Sequence, residues 1–134
     1  MEIIRAGARP TRIPNPAYFT GSVTMDPVIS APEPARLQAL VVSFAPGART
    51  HWHTHPLGQT LFVLSGVGRV QREGEPIRAL RPGDTVWIPP GVRHWHGAAP
   101  ETAMRHMAMQ EEDGTGTDWA EAVSDADYRA EPAE

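Results

Sequence analysis

HWHTHPLGQTLFVLSG, residues 51–66, is the stretch on which the fold of this chain depends. Three of its histidines occupy alternate positions, so that in an extended strand the imidazoles of His51, His53 and His55 lie on one face. The letters PLG at 56–58 predict a turn, and a second strand follows at 60–64. Neutral imidazole is the commonest protein ligand for transition metals. The stretch therefore predicts a metal-binding pair of strands.

A second histidine-bearing segment, GDTVWIPPGVRHWH at 83–96, supplies a third candidate ligand. All six histidines of the chain fall between residues 51 and 106, in two matched contexts, whereas a lone histidine would be better explained by the core or the surface. There are no cysteines, so disulfides and thiolate ligands are excluded, and any metal must be held by nitrogen and oxygen donors. We therefore expect a divalent ion bound mainly by imidazole.

Length and charge narrow the class of protein. A chain of 134 residues suits one domain with one core. The net charge of −4 and the absence of any lysine/arginine run argue against nucleic acid as a partner. The first residues lack the apolar core of a signal peptide, and no run of 18 apolar residues exists. We expect a cytoplasmic protein with a small-molecule substrate and no membrane partner.

Fourteen prolines and twelve glycines punctuate the chain and favour short strands over long helices. Turn signals recur every eight to twelve residues, which is typical of a sandwich or barrel. The predicted strands are 18–25, 36–44, 50–55, 59–64, 67–73, 76–80, 84–88, 92–96 and 102–110. The sequence therefore predicts an all-β fold.

We divide the single domain into three parts: an N-terminal arm (1–34), a barrel (36–110) and a C-terminal tail (111–134). Asp26-Pro27 is a predicted breaker within the arm, which would wrap its own barrel or pair with the sheet edge of a partner chain. In the tail, Ser124 and Asp127 are spaced as a capping box and predict short helical turns, anchored by Trp119 and Tyr128.

Two motifs identify a family. The first runs from Gly47 to Gly66 and resembles the first cupin motif, G-x5-H-x-H-x3-E-x6-G, with Gln59 in place of glutamate. The second runs from Gly83 to Ala98 and resembles the second cupin motif, G-x5-P-x-G-x2-H-x3-N, with Ala98 in place of asparagine. The resemblance implies a jelly-roll barrel, or double-stranded β-helix. It also implies one divalent ion held by His53, His55, Gln59 and His94.

A narrower resemblance, to the bacterial manganese-dependent cupin hydroxynitrile lyases, covers most of the chain. It is carried by Arg49-Thr50, by residues 52–60 and 94–100, and by shorter matches at 19–21, 26–27, 102–104, 106 and 110. It implies a metal-dependent lyase that binds Mn2+, cleaves or forms (R)-cyanohydrins, and assembles as a homodimer or homotetramer. Two positions depart from the pattern: His51 replaces a small residue and Leu40 replaces alanine, and both are expected to reach the pocket.

The expected ligand set carries no charge. With Gln59 in place of a carboxylate, the ion keeps its full 2+ charge and makes a bound hydroxyl more acidic. The same change makes a 3+ state harder to reach, which favours Lewis-acid lyase chemistry over oxygen activation. Ligand type alone leaves Mn, Fe, Ni and Zn open, and manganese follows from the resemblance.

Alternate residues of a strand share a face, and this alternation indicates which polar groups lie near the ion and could move protons. His106 is the expected general base, because imidazole titrates near working pH; the alternative is a core histidine bonded to backbone. His96 is a second candidate, or else a group that orients its neighbour. Gln110 offers an amide to the nitrile or hydroxyl, and Thr50 a hydroxyl. His51 is expected to be a rim residue without a role.

An apolar cavity is expected beside the ion, suited to an aromatic or small alkyl substrate. The alternative is that the same residues are simply the packed interior of a filled barrel. Tryptophans 52, 87 and 95 have the opposite parity and are expected to pack outside the cavity, against a partner sheet or subunit. The expected lining residues are Leu40, Val42, Phe44, Leu61, Val63, Met104 and Ala108.

Two rival functions remain open from sequence. One is an iron or nickel dioxygenase of the cupin kind, which would consume oxygen with a catechol or diketone. The other is a non-catalytic small-molecule or sugar binder in which the metal is structural.

Overall fold

The computed structural model describes residues 1–133, which form short antiparallel strands in two sheets around one interior. The two helical elements are a 3-10 turn at Pro16–Tyr18 and a helix α1 at Asp125–Tyr128. The strands are β1 Phe19–Thr20, β2 Val23–Ser30, β3 Leu37–Phe44, β4 Arg49–Thr50, β5 His53–Thr54, β6 Gln59–Gly66, β7 Gly68–Arg72, β8 Arg78–Leu80, β9 Thr85–Ile88, β10 His94–Ala98, β11 Met104–Glu111 and β12 Asp118–Trp119.

The strand order confirms the all-β jelly-roll prediction. One sheet has the order β2-β3-β11-β6-β9. The other has the order β1-β4-β10-β5-β12, and β7 joins it by pairing with both β10 and β8. Every pair is antiparallel, and neighbours in space are mostly distant in sequence. Because β10 and β11 lie in different sheets, the two histidine-bearing strands face each other across the interior.

Some strand boundaries differ from those predicted. The predicted strand 50–55 divides into β4 and β5, and 18–25 divides into β1 and β2. Strand β2 continues through Asp26-Pro27, which was expected to break it, because Pro27 sits on an edge strand beside a shift of register. Within the predicted arm, β2 pairs with β3 of the same chain and Arg12 forms a bridge with Met25.

The main core lies between the two sheets and is made of alternate residues of their strands. On β3 the inward residues Val42 and Phe44 are 3% and 2% exposed, and Leu61 on β6 is fully buried. Burying each such side chain contributes roughly 1.5–3 kcal/mol. Close packing also requires two glycines: a Cβ on Gly97 would lie 2.4 Å from the Ala48 carbonyl oxygen, and one on Gly66 would lie 1.9 Å from that of Ala103.

The C-terminal tail packs against the outer face of the β10 sheet. Its helix begins as predicted, since the Ser124 side chain accepts a hydrogen bond from the Asp127 amide. Tyr128 and Val123 form a second buried cluster with Trp95, and Trp52 packs on its edge. Trp52 and Trp95 therefore cover their own chain's tail, while Trp87 stays 60% exposed.

Trp119 corrects one expectation about this tail. It lies on β12, a strand that pairs with β5, and not on a helical turn. The pairing satisfies backbone groups that a helix would have satisfied internally. In the part of the chain that the structure describes, no helix has the length and apolar character needed to cross a membrane.

Candidate active site

Five of the six histidines converge at one end of the interior. His53 lies on β5, and His55 follows it at the turn into β6. On β10, which is buried throughout, His94 and His96 alternate with the outward-packed Trp95. The register pairs His94 directly with His53, and their ring centroids lie 4.2 Å apart. Strand alternation thus delivers the imidazoles inward from both segments.

Backbone carbonyls fix which ring nitrogen of two histidines carries the proton. The Nδ1 atoms of His53 and His94 lie 2.9 Å from the carbonyl oxygens of His51 and Val92. Because a carbonyl only accepts, each Nδ1 must be the protonated donor. Each Nε2 therefore carries a lone pair directed at the interior. This is how proteins commonly orient a histidine that ligates a metal.

Several buried polar atoms at this point have no hydrogen-bond partner among the described residues. They include Nε2 of His55 and His94 and Oε1 of Gln59. The Gln59 amide is oriented, because its Nε2 donates to Oε1 of Gln110 at 3.1 Å. Buried polar atoms are normally paired, and a bound ion is one of the standard explanations for exceptions. The Gln59 oxygen and the His94 nitrogen are acceptors, which fit a divalent cation.

Distances alone favour a slightly different trio. Ligand atoms of His53, His94 and His96 lie within 4.8 Å of one another. His55 is outside that trio, but its ring centroid is 5.0 Å from that of His53 and 5.8 Å from that of His94. A group of three histidines capable of holding a divalent metal is therefore present.

Comparison with known proteins identifies the family. A model of the cupin domain matches residues 40–109. The chain is 53% identical over 130 residues to an (R)-mandelonitrile lyase of Granulicella tundricola, covering 96% of this chain and 99% of that one. The chain belongs to the cupin family.

Two further comparisons cover different shares of the chain. A cupin-like protein from Thermotoga maritima, whose crystal structure is known, is 38% identical in sequence to this chain. The two structures superpose with a TM-score of 0.83 over 96% of each chain. A dimethylsulfoniopropionate lyase of Ruegeria pomeroyi is 40% identical over 58 residues, which are 43% of this cupin but only 29% of that protein. The first supports the whole fold, and the second only a segment of it.

The cupin interior contains a cavity of about 90 Å³ beside the histidines. Four of the seven expected lining residues, Leu40, Val42, Phe44 and Ala108, form part of its wall. The other three, Leu61, Val63 and Met104, do not line it. They are 0%, 1% and 1% exposed and belong to the filled core of the barrel.

The polar wall of the cavity includes His53, His55, Gln59, His96 and Gln110, together with Thr50. Thr50 Oγ1 also accepts a hydrogen bond from the His96 amide at 3.2 Å, which ties β4 to β10. His51 is not part of the wall, because the strand is interrupted at 51–52 and the alternation that would align it with His53 is lost.

His106 lies behind the wall, not in it. It is fully buried, and its Nε2 is 2.9 Å from Nδ1 of His96. One hydrogen is shared between these two nitrogens, so the tautomers of the pair are linked. When His96 donates it, His96 Nε2 has a lone pair, and that atom is buried without a partner. His106 therefore reaches the cavity only through His96.

Four lining residues were missed by the sequence analysis. They are Phe19 and Met25 from the first two strands, and Thr117 and Trp119 from the tail. Thr117 Oγ1 lies 3.3 Å from Nδ1 of His55, and Trp119 stacks on Tyr18 with ring centroids 4.8 Å apart. The resemblance to the hydroxynitrile lyases at residues 19–21 was a signal that could have indicated Phe19. No local pattern indicated that the tail returns to the site.

Burial controls the protonation of the cluster. It lowers the pKa of His55, His94 and His106 from 6.5 to about 4. Burial also lowers the pKa of His53 and His96 well below the usual value, and repulsion from neighbouring imidazoles adds to it. At neutral pH the cluster is therefore a set of uncharged nitrogen donors, which is the form that binds metals.

Proposed function

We propose that this cupin is a metal-dependent hydroxynitrile lyase, which cleaves (R)-cyanohydrins to an aldehyde and HCN and forms them in reverse. The observation that carries the proposal is the 53% identity, over 96% of the chain, to a protein named (R)-mandelonitrile lyase. The cavity supports it, because its lining combines apolar side chains that suit the carbon skeleton of an aldehyde with imidazole and amide groups that can bind its polar end.

His53, His55, Gln59 and His94 are the proposed ligands of the ion. Three contacts support this set: backbone carbonyls fix the rings of His53 and His94, and Gln110 orients the Gln59 amide. Manganese is proposed on the resemblance to the manganese-dependent lyases, and Fe, Ni and Zn fit the same donors. Once bound, the ion supplies positive charge that acidifies the substrate hydroxyl.

His96 is the proposed general base, in place of His106, because His96 lines the cavity and His106 does not. Its Nε2 takes the hydroxyl proton as the carbonyl forms, and the electrons of the broken C–C bond leave with cyanide. The same proton then passes from His96 to cyanide and gives HCN, so the enzyme ends as it began. His106 is a positioning residue: its Nε2 accepts a hydrogen bond from Nδ1–H of His96, which keeps the lone pair on His96 Nε2.

Two neutral groups orient the substrate. Gln110 uses its Oε1 to accept from Gln59, which leaves its amide hydrogens to bind the nitrile or the hydroxyl oxygen. Thr50 accepts from the His96 amide, and its own hydroxyl hydrogen is available to the substrate. These contacts fix the substrate relative to His96, which is a substantial part of any rate enhancement.

Elemental analysis of the purified protein, followed by a mandelonitrile cleavage assay, tests the proposal. We expect about one equivalent of a divalent metal, and release of benzaldehyde and HCN that stops on chelation and returns when Mn2+ is added. Oxygen uptake with a catechol or diketone would instead support the dioxygenase. Stoichiometric metal with neither activity would support the non-catalytic binder.

Matched variants sharpen the assay. His96→Ala removes the proposed base and should abolish turnover while the metal stays bound. His51→Ala removes an imidazole of the same segment that does not line the cavity, and should leave both activity and metal content unchanged. Full activity of the His96 variant would reject the assigned role.

Assembly as a homodimer or homotetramer is also proposed. Its support is the resemblance, together with apolar side chains left exposed near the N-terminus and on β3, among them Ile3, Ile13 and Leu37. Sedimentation equilibrium should give a mass of two or four chains, and a monomer at micromolar concentration would reject this part.

A further inference from the structure

A second, larger cavity opens next to the active-site cavity. Its volume is about 520 Å³, and its wall includes two arginines, Arg9 and Arg12. The remaining lining residues are Pro10, Pro27, Ile29, Ser30, Gln38 and Leu40. Leu40 belongs to the walls of both cavities, so the two cavities are neighbours that share this side chain.

The two cavities follow the same face of the β2–β3 pair. On β3, Gln38 lines the outer cavity, Leu40 lines both, and Val42 lines the inner one, in strict alternation. On β2, Met25 pairs with Val42 in the inner cavity, and Pro27 pairs with Leu40. Alternate residues of a strand share a face, so the outer cavity continues the inner one outward along the barrel.

Arg12 is held on this face. Its backbone exchanges two hydrogen bonds of 2.8 Å with Met25, and directly paired residues of an antiparallel bridge project to the same side. Its guanidinium has no hydrogen bond or ion pair within residues 1–133. Arg9 is half-buried and uses Nη2 to donate to the Val28 carbonyl at 3.0 Å, which leaves further N–H groups unused.

The nearby carboxylate does not neutralise these arginines. Asp26 lies between Met25 and Pro27 on β2, so strand alternation turns it to the opposite face. It also accepts a hydrogen bond from the Thr11 hydroxyl. No acidic residue lines either cavity among the residues that the structure describes. In a chain with a net charge of −4, two arginines at the cavity mouth form a local site for an anion.

We propose that the outer cavity is a carboxylate subsite and that the natural substrate is an aldehyde or cyanohydrin with an anionic group remote from its reacting carbon. The inference rests on the proposed lyase function and adds the substrate class. The reacting end would lie beside His96, the carbon skeleton would pass Leu40, and the carboxylate would meet Arg9 and Arg12. Guanidinium groups bind carboxylates through paired, charge-assisted hydrogen bonds, which gives geometric selectivity as well as affinity.

The test compares two aldehydes of nearly equal shape, 4-carboxybenzaldehyde and 4-carbamoylbenzaldehyde, in cyanohydrin formation by the metal-loaded protein. We expect kcat/KM to be about tenfold higher for the carboxylate, and this preference to shrink as salt is added. Because the two substituents differ in electronic effect, the decisive quantity is the change in their ratio between the wild type and the variants. A wild-type ratio that changes neither with salt nor in the arginine variants would overturn the subsite.

Arg12→Gln and Arg9→Gln should each lower the ratio several-fold, and the double variant should remove the preference, with the neutral aldehyde unaffected. Arg81→Gln makes the same charge change at an exposed position that lines neither cavity, and should leave the ratio as in the wild type. A ratio that is equal in all four variants would overturn the proposal.

Binding separates failure of the subsite from failure of the lyase. If neither aldehyde reacts, the lyase proposal fails, and affinity for 4-(hydroxymethyl)benzoate against its neutral amide then tests the subsite by calorimetry. Tighter binding of the carboxylate, lost in the double arginine variant, supports the subsite. Equal affinities reject it.

Discussion

Gln59 sets the charge of the proposed metal site, because every other proposed ligand is a neutral imidazole. Its amide does two jobs at once: Oε1 is left unpartnered toward the histidines, and Nε2 donates to Gln110. A glutamate at this position would keep the first function, and the Gln110 amide would turn to donate in place of accepting. Glutamate would therefore fit at position 59 in shape, but it would change the charge of the site.

We expect Gln59→Glu to bind the metal more tightly and to turn over about tenfold more slowly, because the added negative charge reduces the acidity of a hydroxyl at the ion. Competition with a calibrated chelator and steady-state kinetics measure the two effects. Gln71→Glu adds the same charge on β7, away from the cavity, as a control. Faster turnover of Gln59→Glu would contradict the Lewis-acid assignment.

His106 acts through His96 in the proposed mechanism, so its loss should lower kcat and leave KM and metal content close to the wild type. We expect His106→Ala to lose about a hundredfold in kcat, the lower end of the range for general acid–base catalysis. His106→Gln, which keeps a polar group near His96 Nδ1, should recover part of that loss. Equal loss in both variants, with unfolding at lower denaturant, would indicate a purely structural role.

At the scale of single elements, the turn after β6 depends on a glycine. Gly66 has a φ of +80°, and a Cβ there would lie 1.9 Å from the Ala103 carbonyl oxygen and 2.9 Å from Cα of Met104. These are backbone atoms of β11 and its approach, which cannot move without separating β6 from β11. Left-handed geometry and lack of space therefore act together at this position.

Gly66→Ala should lower the free energy of unfolding by about 3 kcal/mol or more, since strain and a steric clash combine. Gly74→Ala is the matched control: its φ is +84°, but a Cβ there meets nothing within 4 Å, so only about 1 kcal/mol should be lost. Urea denaturation measures both. Equal losses would show that the clash with residues 103 and 104 is relieved without cost.

The tail is held over the active site by Arg49. This buried guanidinium donates to the Val123 carbonyl and to Asp125, both at 2.8 Å, and lies 4.3 Å from the centre of the Tyr128 ring. Tyr128 in turn donates its hydroxyl to the Ala98 carbonyl. These contacts anchor the segment that delivers Thr117 to His55.

Arg49→Met should cost about 2–4 kcal/mol of stability, because it leaves the buried Val123 carbonyl unpaired and removes the stacking on Tyr128. It should also weaken metal binding, since Thr117 would no longer be held beside His55. Asp125→Ala removes only the exposed partner of the ion pair, whose side chain is 79% exposed, and should cost less than about 1 kcal/mol. Chemical denaturation and chelator competition give both quantities.

At the scale of the whole molecule, the buried histidines make folding of the metal-free protein depend on pH. In the folded state the pKa of His55, His94 and His106 is about 4, below the ordinary value of 6.5. The unfolded chain therefore binds more protons between these values. The stability that the neutral rings contribute is complete above about pH 6.5 and is lost as pH falls toward 4.

We expect the free energy of unfolding of the chelator-treated protein to fall steeply from pH 6.5 to 4, by up to about 3 kcal/mol for each of these histidines. Urea titrations at pH 4.5, 5.5 and 7.5 measure it. A stability that is independent of pH over this interval would contradict the buried, neutral cluster. Added metal should raise the free energy of unfolding most at the highest pH measured, where the histidine ligands are deprotonated.

How much of this was predictable differs from one residue to the next. The alternation of His53 and His55 and the motif spacings led directly to the barrel and to its inward-facing imidazoles. Leu61 and Val63 lie in the filled core and not along the cavity, because strand parity separates inside from outside but does not say where the interior is filled. The hydrogen bond between His96 and His106 was not predicted, since it joins strands of opposite sheets.

The sequence by itself determined the all-β class, the turns and the side chains that point inward, because these follow from the period of a strand and from local glycine and proline geometry. Only the tertiary structure decided which inward groups meet. The tail over His55, the His96–His106 pair and the arginines beyond Leu40 come from packing between distant segments. Such packing is governed by burial and hydrogen bonding summed over the whole chain, and no local pattern records it.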